Sequence, residues 1–343
     1  MNLTLPTFLA VVVYVVLLLL LAPIYLARID LPRPPIGVYR WSDIAVMSAV
    51  LIFAPLGYLA LPTAAVAGIF GLVLVVALQF TLAPMLGGRR ATLSAFVLCA
   101  ATFVSWLSHQ QGLTAVLSDL VLTIAVIGVA NLWVQGGMRA GHVAGLAGLL
   151  SGYDLVATSL TSLMDRFVSH VDGLPFAPMV VLSTTRPPVE IGLGDLLMLV
   201  LFPLAATKAF GRRPGQVAAC FAVVTMAVMA LMIWAGLLPP YSPLLAVLGP
   251  LVVAQYVFWR KRGHRERTVG QWRSGAPSTI PLDRPSPLDI ALLVESNDDR
   301  VAGAWFAIID GAVVGEGTSP GLARRSAREA GHVDVPVVRQ FWA

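Results

Sequence analysis

Long runs of apolar residues alternate along this chain with short segments that contain most of its charged residues. A helix needs about 20 predominantly apolar residues to cross a hydrocarbon core of about 30 Å. The pattern predicts nine spans, at residues 7–27, 43–61, 63–85, 91–108, 113–134, 142–163, 189–210, 216–235 and 241–259. The second and third spans are separated by almost no residues, so we expect them to form a tight hairpin.

Composition supports an all-α polytopic membrane protein whose surroundings are the lipid bilayer. Of 343 residues, 57% are hydrophobic and 12% are charged, about half the charged fraction of a soluble domain. Cys99 and Cys220 both lie inside apolar runs, so they indicate no disulfide or metal framework. The net charge of +5 comes from short loops, and no other feature indicates a nucleic-acid partner.

Lys and Arg in the short loops predict the orientation of the spans. The loops after the first, third, fifth, seventh and ninth spans are basic, whereas those after the second, fourth and eighth contain no Lys or Arg. We therefore expect an external N-terminus and a cytoplasmic C-terminus, which requires an odd number of spans. The first span lacks the basic start and cleavage site of a signal peptide and is expected to be retained.

Three segments follow from the change in composition near residue 260. Residues 1–260 contain the spans, residues 261–287 form a basic, Pro-rich segment predicted to be a flexible linker, and residues 288–343 form a small soluble module. In that module an Asp-Gly turn at 310–311 predicts a hairpin, Ser319 and Pro320 predict a helix start, and residues 335–342 a last strand. This α+β (ββαβ) module resembles short modules of unknown role in prokaryotic proteins, and its partner is unknown.

Three acidic residues lie inside predicted spans: Asp119, Asp154 and Asp195. An ionisable side chain in the hydrocarbon region is costly and indicates function. Asp154 lies about 18 Å along the sixth span, roughly 12 Å from the outer face, and Asp195 lies about 9 Å inside the seventh. Because these spans are antiparallel neighbours, we expect the two carboxyl groups to lie at similar depth and to meet.

Two carboxyl groups at close range share one proton and titrate as a unit. The ionised member can deprotonate a water molecule that attacks a peptide carbonyl, while the protonated member stabilises the carbonyl oxygen. Gly192 and Gly194 flank this site without side chains, which allows another helix or a substrate backbone to approach closely. Which aspartate acts as the base stays open.

The motifs around these aspartates resemble the presenilin and signal peptide peptidase family of intramembrane aspartyl proteases. Gly-Tyr-Asp-Leu-Val-Ala at 152–157 matches its YD motif, and Ile-Gly-Leu-Gly-Asp at 191–195 matches its GxGD motif. Its Pro-Ala-Leu motif corresponds to Pro243-Leu244-Leu245, with a bulkier residue at Leu244. The resemblance implies a presenilin-like fold over residues 1–260 and a cofactor-free site. The implied residues are catalytic Asp154 and Asp195, supported by Tyr153, Gly192, Leu193, Gly194, Pro243, Leu244 and Leu245.

The resemblance implies an intramembrane aspartic endopeptidase that is active as one intact chain, since the loop between the sixth and seventh spans is short. The predicted orientation is that of signal peptide peptidase, in a prokaryotic cell membrane. The expected substrates are transmembrane segments oriented N-terminus in, such as remnant signal peptides. The sequence leaves the oligomeric state open, a homo-oligomer included.

Several alternatives stay open at this stage. Asp119 could tune the site, pair with Asn131 or His109, or lie at an interface. A prepilin peptidase also uses a GxGD aspartate, but it usually has a Lys shortly after the motif, where Leu196 and Leu197 stand here. A proton- or cation-coupled transporter or channel could use the same three aspartates. The segment 179–185 is predicted to be extended, and the paired prolines prevent regular helix throughout 186–190. The backbone just before Gly192 could offer a strand edge to an unwound substrate, or form an ordinary surface loop.

Overall fold

The computed structural model divides the chain into two compact units, Met1–Ser278 and Thr279–Ala343. It describes residues 5–31, 39–182, 190–238, 242–275, 278, 305–309, 312–332, 335 and 337–339. Residues 183–189, residues 276–277 and 279–287 of the predicted linker, and residues 336 and 340–342 of the predicted last strand lie outside the described residues.

The described part of the first unit is almost entirely helical. Nine of its helices are long and apolar enough to cross a membrane, in agreement with the predicted integral membrane protein. The helices are α1 (Leu5–Arg28), α2 (Trp41–Leu59), α3 (Thr63–Leu86), α4 (Gly88–Leu107), α5 (Gln111–Gln135), α6 (Ala140–Leu155), α7 (Leu163–Val171), α8 (Leu193–Phe210), α9 (Arg212–Trp234), α10 (Leu244–Lys261) and α11 (Val269–Arg273). A π-helical turn, Val156–Leu160, continues α6, and two strands, β1 (Met179–Val181) and β2 (Glu190–Gly192), precede α8.

The predicted spans are confirmed to within four residues at each described end, and the shifted start of the seventh has an identifiable cause. The prediction placed that start at residue 189, whereas α8 begins at Leu193 because residues 190–192 form β2. β2 pairs antiparallel with β1, with Val180 opposite Ile191. The amide of Leu193 also donates to the Pro178 carbonyl at 2.8 Å. These bonds hold the backbone extended until Gly192, so the helix starts later.

The helix that carries Asp195 lies at the centre of the bundle. Of the 18 residues of α8, 72% are buried, whereas in every other described span 39% or less of the most apolar 18 residues are buried. α8 packs on α1, α5, α6, α9 and α10, and its side chains from Leu196 to Phe210 contribute most of the core. A central helix has few ways to shift, so its neighbours determine the position of its first turn.

One end of the bundle, which we call the basic end, carries the described basic residues at and after the ends of α1, α3, α5, α8 and α10. There the ammonium of Lys208, on a 2% exposed residue, donates to the carbonyls of Val134 (3.0 Å) and Met138. These carbonyls lie at and just beyond the end of α5, where a helix leaves orphan acceptors that a cation can satisfy. The opposite end holds α7, β1 and β2.

The described residues of the second unit form a three-stranded antiparallel sheet and one helix. β3 (Trp305–Ile309) pairs with β4 (Ala312–Gly317) and with β5 (Val337–Arg339), in the order β4-β3-β5. α12 (Pro320–Glu329) packs on this sheet, and the Ser319 hydroxyl accepts from the Leu322 amide as its N-cap. The predicted hairpin and capped helix are therefore confirmed in the described part of this unit.

Candidate functional site

Asp154 lies one residue before the end of α6, where the helix widens into the π-helical turn. π-turns are rare and occur frequently at functional sites. Here the turn contains Thr158, whose hydroxyl donates to Oδ1 of Asp154 at 3.2 Å. The first carboxylate oxygen of Asp154 is thus positioned from within its own helix.

The second oxygen of Asp154 is positioned by the start of α10. Pro243 is the N-cap of that helix, and the amide of Ala246 donates to Oδ2 of Asp154 at 3.3 Å. An acceptor at a helix N-terminus is favoured by the orphan N–H groups and by the helix dipole. Leu244 and Leu245 are buried, at 6% and 8% exposure. The Pro243–Leu245 motif therefore delivers the helix N-terminus that contacts Asp154.

Close packing of α6 against α10 holds this contact in register. The Ser151 hydroxyl donates to the Ala246 carbonyl at 3.4 Å, so one residue of α10 is bonded twice to α6. One turn further along α10, a Cβ added at Gly249 would lie 2.6 Å from the Ala147 carbonyl oxygen and 2.6 Å from Ser151 Cβ. Only glycine permits the two backbones to approach this closely.

Asp195 occupies the first turn of α8, directly after the N-cap Gly192. The prediction placed it six residues inside the span, and the later helix start corrects this. Asp154 lies 14 residues beyond the start of α6 and Asp195 lies 15 residues before the end of α8. At 1.5 Å per residue both are about 21–22 Å from the basic end. α6 packs against α8, so the structure places the predicted pair at matching depth on neighbouring helices.

The two glycines of the GxGD motif have different surroundings. A Cβ added at Gly192 would lie 3.2 Å from Oδ2 of Asp195, so the missing side chain leaves room for the aspartate itself. A Cβ added at Gly194 would meet no described atom within 4 Å. The sequence predicted that another backbone could approach both glycines closely. At Gly192 the group that lies close is the Asp195 carboxyl, whereas Gly194 has an open surface.

Asp119 is connected to the site through the hairpin that precedes α8. Its Oδ1 accepts the backbone amide of Val181 in β1 at 2.9 Å. Neither Asn131 nor His109 is its hydrogen-bond partner: the Asn131 amide donates to the carbonyls of Ala22 and Ile127. Asp119 therefore anchors β1, and through β2 it helps to position the turn that carries Asp195.

The outer edge of β2 is unpaired within the described residues, because the sheet there has only two strands. The Val181 amide donates to Asp119 and therefore not to β2. Val181 and its strand partner Glu190 thus form a non-hydrogen-bonded pair, and the N–H and C=O of Glu190 point away from β1. Gly192, two residues on, shares this orientation. Burial raises the pKa of Glu190, and the nearby charge of Asp172 raises it further. An open strand edge thus leads directly to Asp195.

Tyr153 directly precedes Asp154 in the last turn of α6. Its hydroxyl is buried and has no hydrogen-bond partner among the described residues. Leu193 is half-buried and begins α8. The structure thus places Tyr153, Gly192, Leu193, Gly194 and the Pro243–Leu245 motif on the three helix termini around the two aspartates.

Two contributors to this site escaped the sequence reasoning. Thr158 lies four residues after Asp154, a spacing at which side chains on a helix are neighbours, so the pair was detectable. The Ala246 amide could not be found in this way, because a backbone donor becomes identifiable only once the start of α10 is known. Among the described residues, no group of three or more His, Cys, Asp or Glu side chains is arranged to hold a metal ion.

Comparisons with protein-family models, with curated proteins and with solved structures returned no match to this chain.

Proposed function

We propose that this protein is an intramembrane aspartic endopeptidase, with Asp154 and Asp195 as its catalytic pair. The observation that carries the proposal is the placement of two aspartates at the termini of packed helices, at matching distances from the basic end. Sequence motifs at the same residues support a presenilin-like fold for the nine spans.

The proposed reaction uses one carboxylate and one carboxylic acid. The carboxylate takes a proton from water as the water oxygen bonds to the substrate carbonyl carbon, while the acid donates its proton to the carbonyl oxygen. Collapse of this intermediate breaks the C–N bond, and the amine nitrogen leaves with a proton from the pair. The products are a carboxylic acid and an amine, and no cofactor is consumed.

The open edge of β2 supports a mode of substrate binding. A helical substrate hides its peptide bonds, so the segment to be cut has to become extended first. An extended segment could add to β2 as a third strand through the outward groups of Glu190 and Gly192. Its next residues would then lie beside Asp195, where Gly194 leaves open space.

We further propose that the basic end faces the cytoplasm of a prokaryotic cell, with the N-terminus outside. Short basic loops follow α1, α3, α5, α8 and α10, and such loops favour the cytoplasmic side. A signal-peptide-peptidase-like orientation fits substrates whose N-terminus is cytoplasmic, such as remnant signal peptides. Preferential cleavage of spans with the opposite orientation would contradict this part of the proposal.

The test is cleavage of a single-span substrate by the purified protein in liposomes. Wild type is expected to release two fragments, and Asp154→Ala and Asp195→Ala to release none. Asp165→Asn, an exposed acid on α7, is the matched control and is expected to cleave normally. Undiminished cleavage by either catalytic variant would refute the pair. Ion flux without proteolysis, abolished by the same variants, would instead identify a transporter or channel.

A further inference from the structure

The polar segment after α10 was predicted to be a flexible linker from residue 261. As far as the structure describes it, up to Ser278, it packs against the helices of the first unit. We call residues 262–275 and 278 the strap. Arg273 pairs with Asp30 at 2.7 Å and donates to the Gln135 side chain at 3.2 Å, which ties α11 to the ends of α1 and α5. The composition suggested a tether, but these side chains find partners on the basic end.

The strap donates hydrogen bonds to the backbone carbonyls at the C-terminus of α8, the helix that carries Asp195. A helix leaves its last four carbonyls without partners inside the helix. Arg267 donates to three of these carbonyls: its Nη2 to Thr207 and its Nε to Lys208, both at 2.9 Å, and its backbone amide to Ala209 at 3.2 Å. The Ser278 hydroxyl donates to the fourth, at Phe210, at 2.7 Å. Thr207 also accepts the Gly211 amide at 3.1 Å, so the strap supplies partners for the carbonyls of residues 208–210 and a second donor to Thr207.

The neighbouring residue of the strap contacts the start of α6, the helix that carries Asp154. Oε1 of Glu266 accepts the Gly141 amide at 3.1 Å, and the Tyr256 hydroxyl of α10 lies beside the same glycine. A Cβ added at Gly141 would lie 3.1 Å from this oxygen and 2.8 Å from the Tyr256 hydroxyl. Glycine at 141 thus leaves the space that Glu266 and Tyr256 occupy.

We propose that Glu266 and Arg267 form a clasp that sets the spacing between α6 and α8, and through it the spacing between Asp154 and Asp195. Adjacent residues of opposite charge hold opposite ends of the two helices: an anion at an N-terminus and a cation at a C-terminus, each matched to the helix dipole. Both aspartates lie about 21–22 Å away along these helices. The clasp residues are positioning residues, and their effect on catalysis rests on the proposed protease function.

The strap also closes a loop of contacts around the pair. α10 contacts Asp154 at its first turn, through Ala246, and leads at its other end into the strap. α6 and α10 are therefore joined near the site by the Asp154–Ala246 contact. At the basic end, Glu266 and Arg267 join the strap that follows α10 to α6 and α8. If the clasp is released, the aspartate pair is held only by the contacts near the site. A misplacement of catalytic groups by about 1 Å can lower the rate about 100-fold.

The first experiment measures the geometry of the pair without relying on proteolysis. In the full-length protein with Cys99→Ala and Cys220→Ala, the substitutions Asp154→Cys and Asp195→Cys create a pair that an oxidant can crosslink. We expect Arg267→Ala and Glu266→Ala each to slow crosslinking several-fold. Arg265→Ala, a neighbouring exposed arginine of the strap, is the matched control and is expected to leave the crosslinking rate unchanged.

The second experiment measures cleavage with the aspartates intact. Arg267→Ala is expected to lower kcat by about 10- to 100-fold with KM unchanged, since the strap lies far from the open strand edge. Arg267→Lys should recover part of the loss, because one ammonium cannot reproduce the two-pronged donation of a guanidinium. Glu266→Gln, which keeps an acceptor oxygen for Gly141, should lose less than Glu266→Ala.

A milder variant covers the case in which these substitutions prevent folding. Gly141→Ala keeps both charges but pushes against the Glu266 carboxylate, and it should also slow crosslinking. Gly148→Ala, on the same helix, would meet only Val253 at an ordinary 3.5 Å and is its control. Unchanged crosslinking in all clasp variants, with normal wild-type cleavage, would overturn the clasp alone. If the clasp variants crosslink more slowly but the wild-type protein cleaves no peptide, the clasp is upheld and the protease function is overturned.

Discussion

The backbone amide of Ala246 donates to the carboxylate of Asp154 at 3.3 Å, across 92 residues of sequence. This bond joins the start of α10 to the end of α6, so the Pro243–Leu245 motif acts through the helix terminus that it creates. The side chains of Leu244 and Leu245 are buried and support that terminus. The bulkier residue at 244 is accommodated in the packed interior.

Thr158 is expected to position Asp154 through its hydroxyl, which donates to Oδ1 at 3.2 Å. A hydrogen bond to a charged group is worth about 1.5–3 kcal/mol, so Thr158→Val should lower kcat about tenfold or more. Thr158→Ser keeps the donor and should retain most of the activity. Steady-state cleavage kinetics of the two variants provide the test, and equal activity in Thr158→Val and wild type would exclude this role.

Asp119 is expected to matter through β1 rather than through chemistry at the scissile bond. Asp119→Leu removes the acceptor of the Val181 amide and should loosen the hairpin by about 1–3 kcal/mol. Asp119→Asn keeps an acceptor oxygen and should be mild. Hydrogen exchange of residues 179–181 and 190–192 should rise in the leucine variant, and KM should increase more than kcat falls. A leucine variant as active and as protected as wild type would contradict the anchoring role.

The glycines of the GxGD motif should respond differently to alanine. Gly192→Ala brings a Cβ within 3.2 Å of the Asp195 carboxyl, so the carboxyl has to move and kcat should fall. Gly194→Ala meets no described atom, so it should leave folding intact and raise KM only if a substrate lies against that surface. Thermal melting and cleavage kinetics of the two variants separate these effects. Identical kinetics in both variants would refute the distinction.

The carboxyl of Glu190 should make stability depend on pH. Its pKa is raised by burial and by Asp172, so the folded state holds the proton to higher pH than the unfolded state does. Stability is then lost as pH rises from the unfolded pKa through the folded one. Glu190→Gln removes this loss, so the variant should melt higher than wild type at neutral pH and alike at acid pH. A constant difference in melting temperature across pH would contradict the assignment.

Much of the framework was predictable because its causes are local in sequence. Span positions follow from runs of apolar residues, and the cap at Ser319 follows from residue types at adjacent positions. The late start of α8 was not predictable, because residues 190–192 are extended through pairing with β1. β1 is bonded in turn to Asp119, which lies 62 residues from Val181 in sequence.

The sequence by itself determined the nine apolar spans and the two aspartates within them, since burial of apolar side chains in lipid depends on composition over about 20 residues. Only the tertiary structure decided what surrounds those aspartates and what connects their helices. Thr158 and Ala246 contact Asp154, and Glu266 and Arg267 hold the far ends of α6 and α8. Local composition made the strap look like a linker, because its charges are satisfied by backbone groups at helix ends that become neighbours only when the bundle is assembled.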